Sequence, residues 1–382
     1  MGGRNHFACR LSGPYRIIGP TSPFAAVLLF TMTTLDYLLT SCIGAAATAR
    51  MTRLMHVPAE FSDASGNGDA TVAVTRAEIA YAMNVLLFRD LLERVPEGKA
   101  YTEDAVASGR RVFFDHGAVR SVKIAANGQL PCGEAAITRF LAPLGYRLNE
   151  NYPLPRLKMM GRAYVHADLP EDIPQFFVSE LEVDRFSPEF QAAVGRVVAS
   201  SVDPLDARDL ELLKELEAQR SLPLADAVAL LQSLVRCFAR QHEVPALDDY
   251  ELLLKESQEM AWIATEGNAF NHVTDRVPDL YALSAEQQQL GRSIKPAIEE
   301  AARGTMRQTA YRAAQVERVF RTANGCVVRR VPGSFYEFIS RDRVRNADGE
   351  EVLDLGFDSS NATAIFKMTS ADGAAPTMAK AA

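Results

Sequence analysis

Segments that read as β-sheet lie on both sides of a long helical block, and this order restricts the fold more than any other feature of the chain. Before the block, Val112–Ile124 (VFFDHGAVRSVKI), Ala163–Asp168 and Gln175–Val183 (QFFVSELEV) are rich in aromatic and β-branched residues. The block covers about 187–260. Ser187-Pro188 reads as an N-cap with proline at the first helical position, and Leu210–Leu216, Ala225–Ala239 and Tyr250–Met260 carry leucines at helical spacing. Beyond Met260 the chain reads as irregular or extended, with a short helix opening at a Ser284–Gln287 capping box. Val316–Arg321, Cys326–Val331 and Ser334–Arg341 then read as consecutive strands. Without any repeat of solenoid length, sheet on both sides of a helical block predicts an α+β domain.

Order is expected to begin at Thr75, where Thr75 and Glu78 form a capping-box pattern ahead of Ile79, Met83, Leu86 and Leu87. Residues 1–69 read as a leader and linker without a core pattern, and the expected start of the protein proper is near Met51. In its first fifty-odd residues Asp36 is the one acid among several arginines. The apolar run Phe24–Leu39 is short for a membrane span and contains that charge. An arginine-rich, acid-poor leader also has the composition of an organelle-targeting peptide. The expected division is therefore a single domain over 70–370 with the helical insertion inside it, and a fraying tail over 371–382. A net charge of -7, spread along the chain, argues against a nucleic-acid partner. Five cysteines without a CxxC pair point to a reducing compartment, the cytoplasm.

Of the six histidines, His6 and His56 fall in the leader. His242 lies at a helix end, where a cation meets the dipole favourably. His166 alternates with Tyr164 in a strand and reads as packed or solvated. His116 is different. Alternation in DHGAVR places His116, Ala118 and Arg120 on one strand face, an arrangement that suits a metal ligand beside a clamp for an anion. An edge strand with polar residues facing water explains the row equally well. Gly117 would let a backbone or a ligand approach. His272, in GNAFNHVT, sits where a turn meets a strand, with Asn271, Thr274 or a backbone carbonyl available to hold its second nitrogen, and taken alone such a histidine is more often structural than a ligand. Glu337 is the lone acid of the apolar strand GSFYEFI. Buried there it needs a cation, either a metal or an arginine such as Arg329, Arg330 or Arg341. Two histidines, one carboxylate and open coordination positions make the facial triad of non-haem iron(II) oxygenases.

The elements FFDHGAVRSV, FFVSELEVDRFS, GNAFNHVTDRV and GSFYEFISR, in that order, resemble the 2-oxoadipate dioxygenase/decarboxylase family over about residues 70–345. The resemblance implies a fold similar to the vicinal oxygen chelate superfamily: a curved, partly closed β-sheet holding the metal, with helices around it. It further implies Fe(II) on His116, His272 and Glu337, with Arg120 on a substrate carboxylate. The implied substrates are a small 2-oxo acid and O2, the known conversion being 2-oxoadipate to 2-hydroxyglutarate and carbon dioxide in lysine breakdown. Only about forty-five residues follow Glu337, fewer than in familiar members. Ser359 and Ser360, in FDSSNATAIF, are the candidates for the substrate contacts made there. Two rivals share the fold, a glyoxalase-like enzyme and an extradiol-type enzyme that would need His166 as its acid/base. A third is a binding protein without turnover.

Overall fold

In the computed structural model, residues 32–62 and 72–358 are described. Four α-helices precede the main sheet: α1 (Thr34–Ile43), α2 (Ala45–Leu54), α3 (Arg76–Arg94) and α4 (Pro96–Ala107). The Thr75–Glu78 capping box opens α3 as expected, and Pro96 takes the first position of α4. Part of the leader expectation is overturned. Asp36, the lone acid of the first fifty-odd residues, closes a capping box with Thr33 at the start of α1. Leu35, Leu38 and Leu39 of that helix are buried in the main core beside α3 and α8 (Leu224–Arg236). Three leucines inside a core bind this segment to the domain, each worth about 1.5–3 kcal/mol. The linker expected near residue 69 and the tail after 370 lie outside the described residues.

An eight-stranded sheet follows, curled into a half-barrel. Its strands are β2 (Phe114–Lys123), β3 (Tyr146–Leu154), β4 (Met159–His166), β5 (Gln175–Glu182), β7 (His272–Arg276), β8 (Glu299–Glu300), β9 (Met306–Ala310) and β12 (Phe335–Arg341). In space they run β3-β4-β5-β2-β7-β12-β9-β8. The order is the same read outward from the centre in either direction. β2 and β7 are antiparallel neighbours, each with a parallel partner (β5 or β12) and then two antiparallel strands. A helix follows the inner strand in each half: α5 (Ala135–Leu141) after β2, α11 (Leu280–Gln289) after β7. The first short strand, β1 (Ala73–Thr75), pairs separately with β6 (Ser221–Pro223).

Between the halves runs the helical block, α6 (Pro188–Val198), α7 (Ala207–Gln219), α8, α9 (Leu247–Glu256) and α10 (Gln258–Glu266). The expected Ser187 cap is present, accepting from the Phe190 N–H. The hairpin of β10 (Gln315–Thr322) and β11 (Gly325–Pro332) is inserted in the second half. Three local expectations fail. The chain after Met260 stays helical to Glu266, because Ser257 caps α10 and all but one of its residues are buried. Asp279 caps α11, which places Ser284 inside the helix rather than at its start. Strand β3, polar along most of its length, lacks an apolar signal and was not expected.

The sheet's convex face packs on α3 and α4 through Val119, Phe176, Val178, Val273, Tyr336 and Phe338. Gly117 points there too. A Cβ on it would meet the Phe270 ring at 2.4 Å, so the glycine admits an aromatic side chain and not a ligand. The concave face holds a separate small cluster, Ala118, Tyr152, Ala163 and Phe177, with Phe357 against it. No helix among the described residues is long and apolar enough to cross a membrane.

Candidate metal centre

Alternation places His116 and Ala118 of β2 on the concave face, and strand register carries that face across the sheet. Thr274 lies opposite His116, His272 opposite Ala118, and Glu337 opposite Thr274. Three strands distant in sequence thereby converge, and one ligating atom each of His116, His272 and Glu337 lies within 4.8 Å of the others. All three side chains are buried. The Thr274 hydroxyl stands among them, 3.1 Å from His116 Nε2 and donating to Glu337 Oε1 at 3.2 Å.

Each ligand has its own support. His116 Nδ1 lies 2.8 Å from the Asp115 carboxylate, which selects the tautomer with Nε2 free for the cavity. Asp115 in turn receives Arg341 Nε and Nη2 at 2.9–3.1 Å. Burial opposes ionisation of this carboxyl, but Arg341 and His116 hold it well below the usual carboxylate range. His272 Nδ1 lies 3.2 Å from Asn271 Oδ1, and Phe335 stacks on the ring at a centroid distance of 4.6 Å. Asn271 was among the partners the sequence offered; Thr274, another, serves His116 and Glu337.

The electrostatics fit a divalent cation. Burial lowers the proton affinity of His116 against the pull of Asp115. It also lowers that of His272 strongly, and a protonated His116, Arg120 and Lys295 would each repel a further positive charge there. Both imidazoles are thus neutral and available as donors. Burial pushes the Glu337 carboxyl up to about 8, against the influence of Lys295, and its Oε2 has no hydrogen-bond partner. None of the arginines offered as a substitute cation reaches Glu337. Arg341 is committed to Asp115, and Arg329 and Arg330 are exposed on the β11 hairpin. An orphaned carboxylate oxygen beside two neutral imidazoles is a donor set that could hold a metal ion.

Arg120 lies on the His116 face as alternation requires, and it is 1% exposed. Its guanidinium forms an ion pair with Glu259 in the first turn of α10 and lies 4.8 Å from the centre of the Trp262 ring. Burial pushes the Glu259 carboxyl up to about 7, with Arg120 opposing. Nothing in the sequence singled out Glu259, one of two acids in a helix that joins Arg120 only through the fold. Phe357 was also missed. Its ring packs edge-on against His116 at 4.8 Å and against Tyr152 and Phe177. Arg341 ties this segment down, donating to the carbonyls of Asp354 and Gly356 at 2.9 and 2.6 Å. Asp115 could have been found from its place beside His116. Ser359 and Ser360 lie just outside the described residues.

His166 is excluded from the site. It is fully buried, its Nε2 lies 2.9 Å from the Leu144 carbonyl and burial lowers its pKa to about 4. Its strand neighbour Tyr164 pairs with Phe176, which belongs to the convex core, so His166 faces away from the metal centre. An extradiol-type enzyme would lack its acid/base here. His242 departs from its expectation. It is buried and neutral, with a pKa lowered to about 4 by burial and Nε2 3.0 Å from the Ala264 carbonyl, rather than a cation on a helix dipole.

Comparison with known proteins agrees with this fold. A crystal structure of a glyoxalase superfamily protein from Ralstonia eutropha JMP134 is similar, with 54% identity and a TM-score of 0.79, covering 85% of this chain and 98% of that one. The rice hydroxyglutarate synthase, solved in complex with 2-oxoadipate, has the same fold at 20% identity and a TM-score of 0.59, covering 84% and 96% of the two chains. In sequence, the 2-oxoadipate dioxygenase/decarboxylase of rice chloroplasts and amyloplasts is 22% identical over 307 residues, 74% of this chain and 76% of its own. The α+β half-barrel related to the vicinal oxygen chelate proteins is therefore the fold the sequence led us to expect. Since the family model described as 2-oxoadipate dioxygenase/decarboxylase matches residues 78–378, most of the chain, the protein belongs to that family of enzymes.

Proposed function

We propose that this protein is an Fe(II)-dependent oxygenase that takes 2-oxoadipate and O2 to 2-hydroxyglutarate and CO2, a step of lysine breakdown. The observation that carries the proposal is the buried trio His116, His272 and Glu337 with its unpartnered carboxylate oxygen. A metal there supplies a Lewis-acid centre with positions left open for a 2-oxo acid and dioxygen. The conversion balances without an external electron donor, since the 2-oxo acid is itself oxidised as its carboxyl leaves.

The protein's own groups set the conditions for that chemistry. Asp115 and Asn271 fix the imidazoles, so their metal-facing nitrogens need no rearrangement. Phe335 and Phe357 keep water from the two rings. In our proposal Arg120 grips a substrate carboxylate, with Glu259 and Trp262 holding the guanidinium in place. Ser359 and Ser360 are proposed as distal contacts, two and three residues beyond the ring that touches His116.

The test is metal content after anaerobic purification together with oxygen uptake on a panel of 2-oxo acids. About one iron(II) per chain and uptake strictly dependent on a 2-oxo acid are expected. The likeness to a glyoxalase superfamily protein keeps one rival in play, a glyoxalase-like enzyme on the same three ligands. Turnover with zinc or nickel and without oxygen would decide for that rival.

A further inference from the structure

The sheet's internal symmetry puts four positions around the metal centre, and only three carry donors. His116 and His272 correspond to each other on the inner strands β2 and β7. Gln175 of β5 lies opposite His116 as Phe335 of β12 lies opposite His272. Two residues further along, Phe177 lies opposite Ala118 as Glu337 lies opposite Thr274. Phe177 therefore stands where a fourth ligand would be. The open side of the centre faces the first half, where Ala118, Ala163 and Phe177 leave small or apolar walls.

Gln175 breaks that apolar pattern. Its counterpart Phe335 stacks on His272, whereas Gln175 puts an amide beside His116. The side chain is 1% exposed, and neither Oε1 nor Nε2 has a hydrogen-bond partner. Orphaned polar groups in a native interior are rare and costly, and a whole amide without a partner implies a ligand that completes it. Register places this amide on the concave face next to the metal-facing histidine, on the side without a donor.

We propose that Gln175 positions the substrate, donating from Nε2 to the carboxylate of the 2-oxo acid. This rests on the function proposed above. It adds a recognition element to the first half of the sheet, which otherwise offers the substrate apolar walls and Arg120.

The test uses the full chain with Gln175→Met, of similar volume and without the amide, and with Gln175→Glu. Two measurements are made, the Tm of the metal-free protein and 2-oxoadipate binding by anaerobic calorimetry on the iron-loaded protein. Metal content should be unchanged in both variants. Removing an orphaned amide should raise the Tm of Gln175→Met by roughly 2 °C or more, whereas a structural glutamine would lower it. Affinity for 2-oxoadipate should fall about ten- to a hundredfold in Gln175→Met, and further in Gln175→Glu, which sets a carboxylate against a carboxylate. If wild type binds 2-oxoadipate and Gln175→Met binds equally well, this assignment fails alone. A wild type that takes up no 2-oxo acid sinks the functional proposal and this assignment together.

Discussion

The parallel pair β2 and β5 and the parallel pair β7 and β12 meet at one antiparallel junction, built to the same plan with different side chains. β7 and β12 contribute His272 and Glu337, with Phe335 stacked on the histidine. β2 and β5 contribute His116, Arg120 and Gln175, with Phe177 where a fourth donor would stand. Support differs as well. His116 leans on a charged chain through Asp115 to Arg341, while His272 has a single neutral amide. A repeated plan thus yields an asymmetric centre: the second half offers two candidate metal ligands, and the first offers one, with the proposed substrate contacts beside it. Metal grip and substrate recognition should therefore respond separately to mutation.

The largest effects should come from the ligands. Changing His116, His272 or Glu337 to Ala should abolish stoichiometric metal binding and turnover, while circular dichroism shows a folded protein. Phe177→Ala, at the position matching Glu337, should leave metal content normal. Equal metal loss in Phe177→Ala and Glu337→Ala would end the division between the halves.

Next in size is the support of the histidines. Asp115→Asn removes the charge behind His116 and leaves Arg341 buried without its carboxylate. Metal affinity should fall about ten- to a hundredfold. Asn271→Ala should cost less, since a 3.2 Å contact between neutral groups orients His272 more weakly. A competitive chelator titration measures both, and the reverse ranking would contradict the reading of the two supports.

For Arg120→Lys, charge stays but the planar fork is lost, so binding of the 2-oxo acid should weaken about ten- to a hundredfold with metal content unchanged. Loss of iron in Arg120→Ala would make the residue a support of strand β2 instead of a clamp.

The smallest effect is in pH. Without metal, the Glu337 carboxyl sits at about 8, above its ordinary value of 4.5. A raised pKa means the folded state holds the proton more tightly than the unfolded chain. The associated stability is complete below about 4.5 and is lost as pH rises through about 8. Glu259 and Asp275, both near 7, act in the same direction with or without metal. A bound metal displaces the Glu337 proton, so the gain in Tm on adding metal should be larger at pH 9 than at pH 6. An equal gain at both would show that Glu337 does not bind as the carboxylate.

What the sequence determined on its own is local or follows from alternation. The cap at Thr75, the strands around His116 and Glu337 and the shared face of His116 and Arg120 all depend on neighbours a few residues away. Glu337 was legible because a lone acid in an apolar strand needs a cation wherever the strand ends up. The tertiary structure decided what depends on pairing between distant segments. It set the antiparallel β2–β7 junction that brings two histidines together across more than a hundred and fifty residues, and it gave Arg341 to Asp115 and not to Glu337. It buried the leucines of α1, which look like a leader until a core is present to receive them. It also sent His166 to the convex face and Gln175 to the concave one, because both strands are buried on both sides and composition cannot tell the faces apart.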